Sequence, residues 1–151
     1  MLFRSQSRVG SGRVVPRILA GKRVSLIDAI DQPHTWTSPA DVARLLAVVG
    51  RDERAWGRAW HVPSNPSRSQ RQVIDDLADA AGVPRVKVSR LPDPLLRAVG
   101  LVNPLFREFG EVAYQFSRPF ILDDSAARAT FGLQPTEWTE ILRDVITAYR
   151  H

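Results

Sequence analysis

Start and stop signals for helices recur at short intervals along this chain, and they limit it to short elements joined by tight turns. Residues 31–46, DQPHTWTSPADVARLL, hold the central example. A polar turn, Asp31-Gln32-Pro33, leads through a short alternating segment to Thr37 and Ser38. Either of these hydroxyl residues can cap the next helix, with Pro39 tolerated in the first turn and Asp41 favoured by the positive end of the helix dipole. Val42, Leu45, Leu46 and Val49 then fall at three- and four-residue spacing, which predicts one apolar helix face, and Gly50 ends the run. The same grammar returns at Ser69-Gln70-Arg71-Gln72. There a serine and a glutamine three residues apart form a capping box, each satisfying an otherwise free N–H. That helix is expected to bury Val73, Leu77 and Ala80/Ala81 and to stop at Gly82.

The remaining punctuation predicts a helix over 14–20 ended by Gly21 and a brief strand over 24–27, where Val24 and Ile27 are β-branched. Strands are also expected over 59–62 and 119–122, with PSNPS at 63–67 as a loop. Over 83–91 the sequence alternates, Val86 and Val88 on one side and Lys87 and Ser89 on the other, the period of a half-buried strand. A long apolar helical region is expected over 95–116, with a break near Gly100 to Pro104. Asp123 and Asp124 cap a short helix stopped by Gly132. A last helix over 136–149 carries Trp138, Ile141, Leu142, Val145 and Ile146. Helices alternating with short strands, without an internal repeat, give an α/β pattern.

At 151 residues and 44% hydrophobic, the chain has the size of one domain; such a length buries roughly 68–70% of its unfolded surface. No apolar run approaches the ~20 residues needed to span a bilayer. Residues 1–8 lack the apolar core of a secretory signal. No cysteine is present, so disulfides and thiolate metal sites are excluded. The expectation is a cytoplasmic protein. A net charge of +5 and a pI near 10.6 raise nucleic acid as a partner. Only Lys22 and Lys87 are lysines, however, and the arginines are spread out and alternate with acids in Arg51-Asp52-Glu53-Arg54, as on a solvated face.

Candidate chemistry is sparse. Gly10-Ser11-Gly12 lacks a preceding strand, and Val15 stands where a phosphate-binding fingerprint needs its third glycine. Three scattered histidines make no recognisable metal set, and His61 reads as a hydrogen-bonded structural residue. Asp75, Asp76 and Asp79 read as the polar face of a helix. No G-x-S-x-G elbow supports a hydrolase triad.

Several local patterns follow one another in a shared order. They are Leu19-Ala-Gly-Lys-Arg-Val-Ser-Leu26, His34-Thr-Trp-Thr37 with Asp41-Val-Ala43, Gly57-Arg-Ala-Trp-His-Val62, Ser69-Gln-Arg-Gln72, Phe120-Ile-Leu-Asp123 and Phe131-Gly-Leu-Gln-Pro135. In this order and spacing the chain resembles the C-terminal half of an atypical extended short-chain dehydrogenase/reductase of the NAD-dependent epimerase/dehydratase family. The resemblance implies a partial Rossmann-type edge plus a mostly helical substrate-binding lobe. It implies that residues 1–151 are a single truncated unit, with 1–62 a remnant of the nucleotide-binding sheet and its helices and 63–151 the substrate-binding lobe. NAD or NADP is implied by the family only, and none is expected for the isolated chain.

The family's hydride chemistry uses a tyrosine and a lysine four residues later. Here the near-match is Tyr114-Gln-Phe-Ser-Arg118, in another part of the order and with arginine in place of lysine, and a guanidinium does not readily serve as a proton relay. No catalytic residue is therefore assigned, and Tyr114 reads as a helix residue. By the resemblance, His34, Trp36 and Gln115 are substrate-binding candidates; as plain structure, His34 satisfies a turn and Trp36 fills core. The implied partners are a small-molecule substrate and either a separately encoded Rossmann half or a second copy, because a lobe without its other half leaves sheet edges and apolar faces uncovered.

Two readings from other classes stand beside this one. Residues 76–91, from Asp76 to Leu91, also resemble a helix-turn-helix, with Gly82 at the turn and Arg85, Lys87, Ser89 and Arg90 on a recognition helix. Its second helix would be only about eight residues long, with three β-branched valines, which weighs against it. The third reading is a non-catalytic assembly module docking through the apolar region 95–116.

Overall fold

The computed structural model describes residues 11–26, 30–90 and 118–150. Over these residues the order is α1 (Ser11–Leu19), β1 (Val24–Leu26), α2 (Pro39–Val49), a 3₁₀ turn (Glu53–Ala55), α3 (Gln70–Ala81), β2 (Val88–Arg90), α4 (Ser125–Phe131) and α5 (Trp138–Arg150). The fold is mixed α/β, mostly helical, with a small parallel sheet. The regions expected to hold the apolar helix over 95–116, Tyr114 and Gln115 lie outside the described residues. None of the described helices is long and apolar enough to cross a membrane.

The chain divides into two compact units, one containing Thr35–Ser67 and the described residues from Ile121 onward, the other Pro16–His34 and the described part of Arg68–Phe120. In the second unit β1 and β2 pair in parallel, Val24 opposite Val88 and Leu26 opposite Arg90. Val24 is fully buried, and Ser25 and Ser89 meet at 3.2 Å between their hydroxyl oxygens. This pairing overturns the helix-turn-helix reading, because Val88, Ser89 and Arg90 are strand residues and not part of a recognition helix. Proline at 84 and β-branched side chains at 86 and 88 favour the extended ladder over a helix. The alternation read over 83–91 is realised in its last turn-free stretch only, with Val86 buried and Lys87 exposed.

α3 has the capping box its sequence announces. Ser69 Oγ accepts from Gln72 N–H at 3.2 Å, and Gln72 Oε1 accepts from Ser69 N–H at 2.8 Å. Gly82 closes the helix at φ 69°, in the left-handed region that glycine enters without a Cβ penalty. Its buried face is Val73, Ile74, Leu77 and Ala78, so Ile74 and Ala78 replace the expected Ala80/Ala81. Nearby, His34 exchanges both backbone hydrogen bonds with Arg68, at 3.1 and 3.0 Å, and Phe120 N–H donates to Pro33 O. The strand expected over 119–122 is thus reduced to one bridge between Phe120 and His34.

In the first unit Ser38 caps α2, its side chain accepting from Ala40 N–H at 3.3 Å. The helix is rotated relative to expectation. Asp41 and Leu45 are buried, whereas Leu46 is 63% exposed. α5 starts at Trp138 and buries Trp138, Ile141, Leu142 and Ile146 as expected, with Val145 half-buried. Residues 59–62 form no strand. The aromatic and histidine side chains that suggested one are engaged sideways instead. Trp60 donates its indole N–H to Ala55 O at 2.8 Å and meets the Phe131 ring edge-on at 4.7 Å, with Arg58 stacked 4.0 Å over it. His61 Nδ1 lies 2.8 Å from Asp123 O, the structural role its sequence context suggested.

Candidate functional site

Proline at 63 and 66 sets the local course of the loop that builds the site. Each fixes its own φ and disfavours helix at the residue before it, so residues 62–67 cross the first unit without regular structure. The polar groups of such a segment must then be satisfied one by one. Ser64, which is buried, is tied down at every polar atom. Its N–H donates to Asp124 Oδ2 at 2.6 Å, and its carbonyl accepts from Arg128 Nη2 at 2.7 Å. Its hydroxyl donates to Val62 O at 2.9 Å and so accepts from Thr37 Oγ1 at 2.8 Å. Asn65 Nδ2 donates to Thr136 O at 2.8 Å.

Opposite the loop, Leu122 N–H donates to Thr35 Oγ1 at 2.9 Å, and α4 presents Asp124 and Arg128 one turn apart. Between these pieces lies a solvent-open groove of about 230 Å³. Its walls are Thr35, Ser64, Asn65, Pro66, Ser67, Ile121, Leu122, Asp124 and Arg128, all within the first unit.

The groove's charges are matched. Arg128 Nε donates to Asp124 Oδ1 at 2.8 Å and its Nη2 to Oδ2 at 3.0 Å, while Nη1 reaches Gln134 Oε1 at 2.8 Å. Partial burial pushes the Asp124 carboxyl up, but hydrogen bonds from Arg128 and the Ser64 N–H, with the guanidinium charge, outweigh it and hold the group below the usual carboxylate range. Hydrogen bonding to Asp124 raises Arg128 correspondingly. Asp123 is also lowered, chiefly by hydrogen bonding to Ser125. Two wall groups are uncommitted among the described residues: the Ser67 hydroxyl and the Asn65 Oδ1.

The residues singled out from sequence are not gathered at this groove. His34 belongs to the second unit and is 3% exposed. Its Nδ1 donates to Gln32 O at 3.0 Å, the only polarity a carbonyl allows, which leaves Nε2 buried without a partner among the described residues. Trp36 is half-buried in the first unit. Gln115 lies outside the described residues. Sequence reasoning missed Thr35, Ser64, Asn65, Ser67 and Arg128. The usable signals were the polar residues set between two prolines at 63–67 and the i, i+4 spacing of Asp124 and Arg128, which places opposite charges on one helix face. Among the described residues no group of three or more histidine or carboxylate side chains is placed to hold a metal ion.

Solved structures similar to this chain include two whose alignments span nearly all of it. RMD from Pseudomonas aeruginosa, in complex with NADPH, aligns with a TM-score of 0.65 at 18% identity, covering 97% of this chain and 43% of that one. UDP-glucose 4-epimerase from Thermotoga maritima, with UDP-glucose, aligns with a TM-score of 0.58 at 16% identity, covering 91% of this chain and 38% of that one. This chain therefore spans about two-fifths of the length of either structure. No protein-family model matches the sequence, and no curated protein matches it. At these identities the likeness is one of fold, and it bears out the mixed α/β class.

Proposed function

We propose that this chain is the substrate-binding portion of an NAD(P)-dependent epimerase/dehydratase/reductase-like protein and is catalytically inactive alone. The observation that carries the reading is the fold likeness: nearly all of the chain aligns with less than half of an NADPH-complexed protein. The sequence adds two supports. It lacks the tyrosine–lysine pair and the glycine-rich turn that hydride chemistry on a nicotinamide needs, and it holds a polar groove on a folded unit. NAD or NADP would be held by a nucleotide-binding half supplied by another segment or another chain. When bound there, it supplies the hydride; the residues described here would hold the substrate.

The test has two arms. The DNA immediately upstream of the Met1 codon, translated in all three frames, is expected to encode a strand, a glycine-rich turn and a Tyr-x-x-x-Lys pair. The isolated chain, titrated with NADH and NADPH while its tryptophan fluorescence is followed, is expected to show no binding. Micromolar affinity for either nucleotide would overturn the division of labour proposed here.

A further inference from the structure

Two stretches of the second unit carry cations and no carboxylate. Residues 16–26 hold Arg17, Lys22 and Arg23, and residues 82–90 hold Arg85, Lys87 and Arg90; neither stretch contains an aspartate or glutamate, and both of the chain's lysines are among them. The parallel pairing of β1 with β2 sets these stretches side by side. Val24 N–H donates to Lys87 O at 3.0 Å, which extends the ladder one residue before β2 begins. Alternation along a strand then sorts the side chains. Val24 is buried on one face. On the other, Ser25 and Ser89 meet at 3.2 Å between hydroxyl oxygens, and Arg23 and Lys87 share their parity one pleat earlier, about 6.6 Å along the ladder. Both cations are exposed, and no carboxylate among the described residues pairs with either. Arg17 brings a third guanidinium to this end, its Nε donating to Arg23 O at 2.8 Å. Arg85 is drawn off by Asp79, which takes two of its donors.

The hydroxyl pair distinguishes this patch from a merely solvated basic face. Two hydroxyls that share one hydrogen bond use one hydrogen between them, which leaves the second O–H to donate outward. An O–H donor beside two cations suits an oxyanion with several acceptor oxygens, because hydrogen bonds to an ionised acceptor are stronger than neutral ones. A carboxylate offers two oxygens in one plane. A phosphoryl group offers three and carries up to two charges, which matches one hydroxyl pair and two cations. We propose that this face of the ladder binds a phosphoryl group, the Ser25–Ser89 pair donating to one oxygen and Arg23 and Lys87 to the others. The site goes beyond the substrate-binding reading above and rests on the second unit alone.

Amide chemical shifts of the full chain test it, with inorganic phosphate titrated at an ionic strength held at about 0.1 M by sodium chloride so that screening stays constant. Phosphate is expected to shift the amides of Ser25, Lys87 and Ser89 and to saturate in the millimolar range, since exposed ion pairs are individually weak. Ser25→Ala combined with Ser89→Ala should raise the midpoint about fivefold, the loss of one hydrogen bond. Lys87→Gln should raise it about threefold. Arg51→Gln, which removes the same charge from an exposed position of the first unit, should leave it unchanged. Equal effects of Arg51→Gln and Lys87→Gln would reduce the binding to net charge and overturn the site. So would silence from phosphate, an unchanged midpoint in the double serine variant, or acetate matching phosphate at equal concentration. Vesicles separate the two sources of the group. Broadening of the same amides by phosphatidylcholine vesicles only when they carry phosphatidic acid would assign it to a lipid headgroup; a saturable phosphate response without that broadening assigns it to a soluble ligand.

Discussion

Asp41 is 3% exposed, and its carboxylate accepts from the Thr136 hydroxyl at 2.7 Å and from the Thr136 N–H at 3.1 Å, with Arg44 3.1 Å away. It therefore joins the first turn of α2 to the segment that leads into α5. Asp41→Ala would leave two part-buried donors unanswered, and a loss of about 2–3 kcal/mol is expected, read as a lower denaturation midpoint at unchanged slope. Arg44 is 47% exposed, so Arg44→Ala should cost less, under about 1 kcal/mol. Asp124 makes the pH prediction. Its carboxyl is lowered in the folded state, so the stability it contributes is present above the unfolded value of about 3.9 and is lost as pH falls through the folded one. Thermal midpoints measured from about pH 6 down to about pH 2 should fall more steeply in the parent chain than in Asp124→Asn. Asp31, Asp52 and Asp79 are lowered the same way by arginine partners. They lie at the surface and are common to both chains, so the difference between the curves isolates Asp124. The charge of Asp41 at a helix start was legible from sequence. Its partner 95 residues away was not, since spacing along a chain does not say which loop returns to it.

Among elements, α3 is the one whose boundaries were written most plainly, because capping boxes and left-handed glycines act through backbone groups only three or four residues away. Ser69→Ala should cost about 1 kcal/mol. Gly82→Ala, with open space around the added Cβ, should cost about 1–2 kcal/mol from its φ of 69° alone. Which stripe of a helix faces inward was less legible. In α2 the expected face included both Leu45 and Leu46, but the buried line runs from Asp41 to Leu45 because Thr136 and Arg44 draw the Asp41 carboxylate inward. Leu45→Ala is therefore expected to cost about 2–5 kcal/mol, whereas Leu46→Gln should stay within about 0.5 kcal/mol. Denaturant midpoints of the two variants check the rotation directly. Residues 59–62 failed as a strand for a related reason. β-propensity describes side chains that suit a pleated surface, and here Trp60 and His61 found partners in Ala55, Phe131 and Asp123 instead.

For the whole molecule, the sequence conveyed the class through the alternation of short elements, but not the pairing of Val24 with Val88 across 64 positions. A two-stranded sheet is marginal by itself in water, and among the described residues β1 and β2 are the only strands that pair into a sheet. On the function proposed above, the chain is expected to gain stability from a nucleotide-binding half. A nucleotide-binding half that docks only to the folded chain raises stability by mass action, about 2.7 kcal/mol at a hundredfold excess over its dissociation constant. For a domain of this size that is an increase of roughly 5–10 °C in thermal midpoint. NADPH alone should produce no increase, and NADPH added with the nucleotide-binding half should add to the shift of that half. A midpoint raised by NADPH alone would locate the cofactor site within these 151 residues, and the groove lined by Ser64 and Arg128 would then have to be read as serving a complete enzyme.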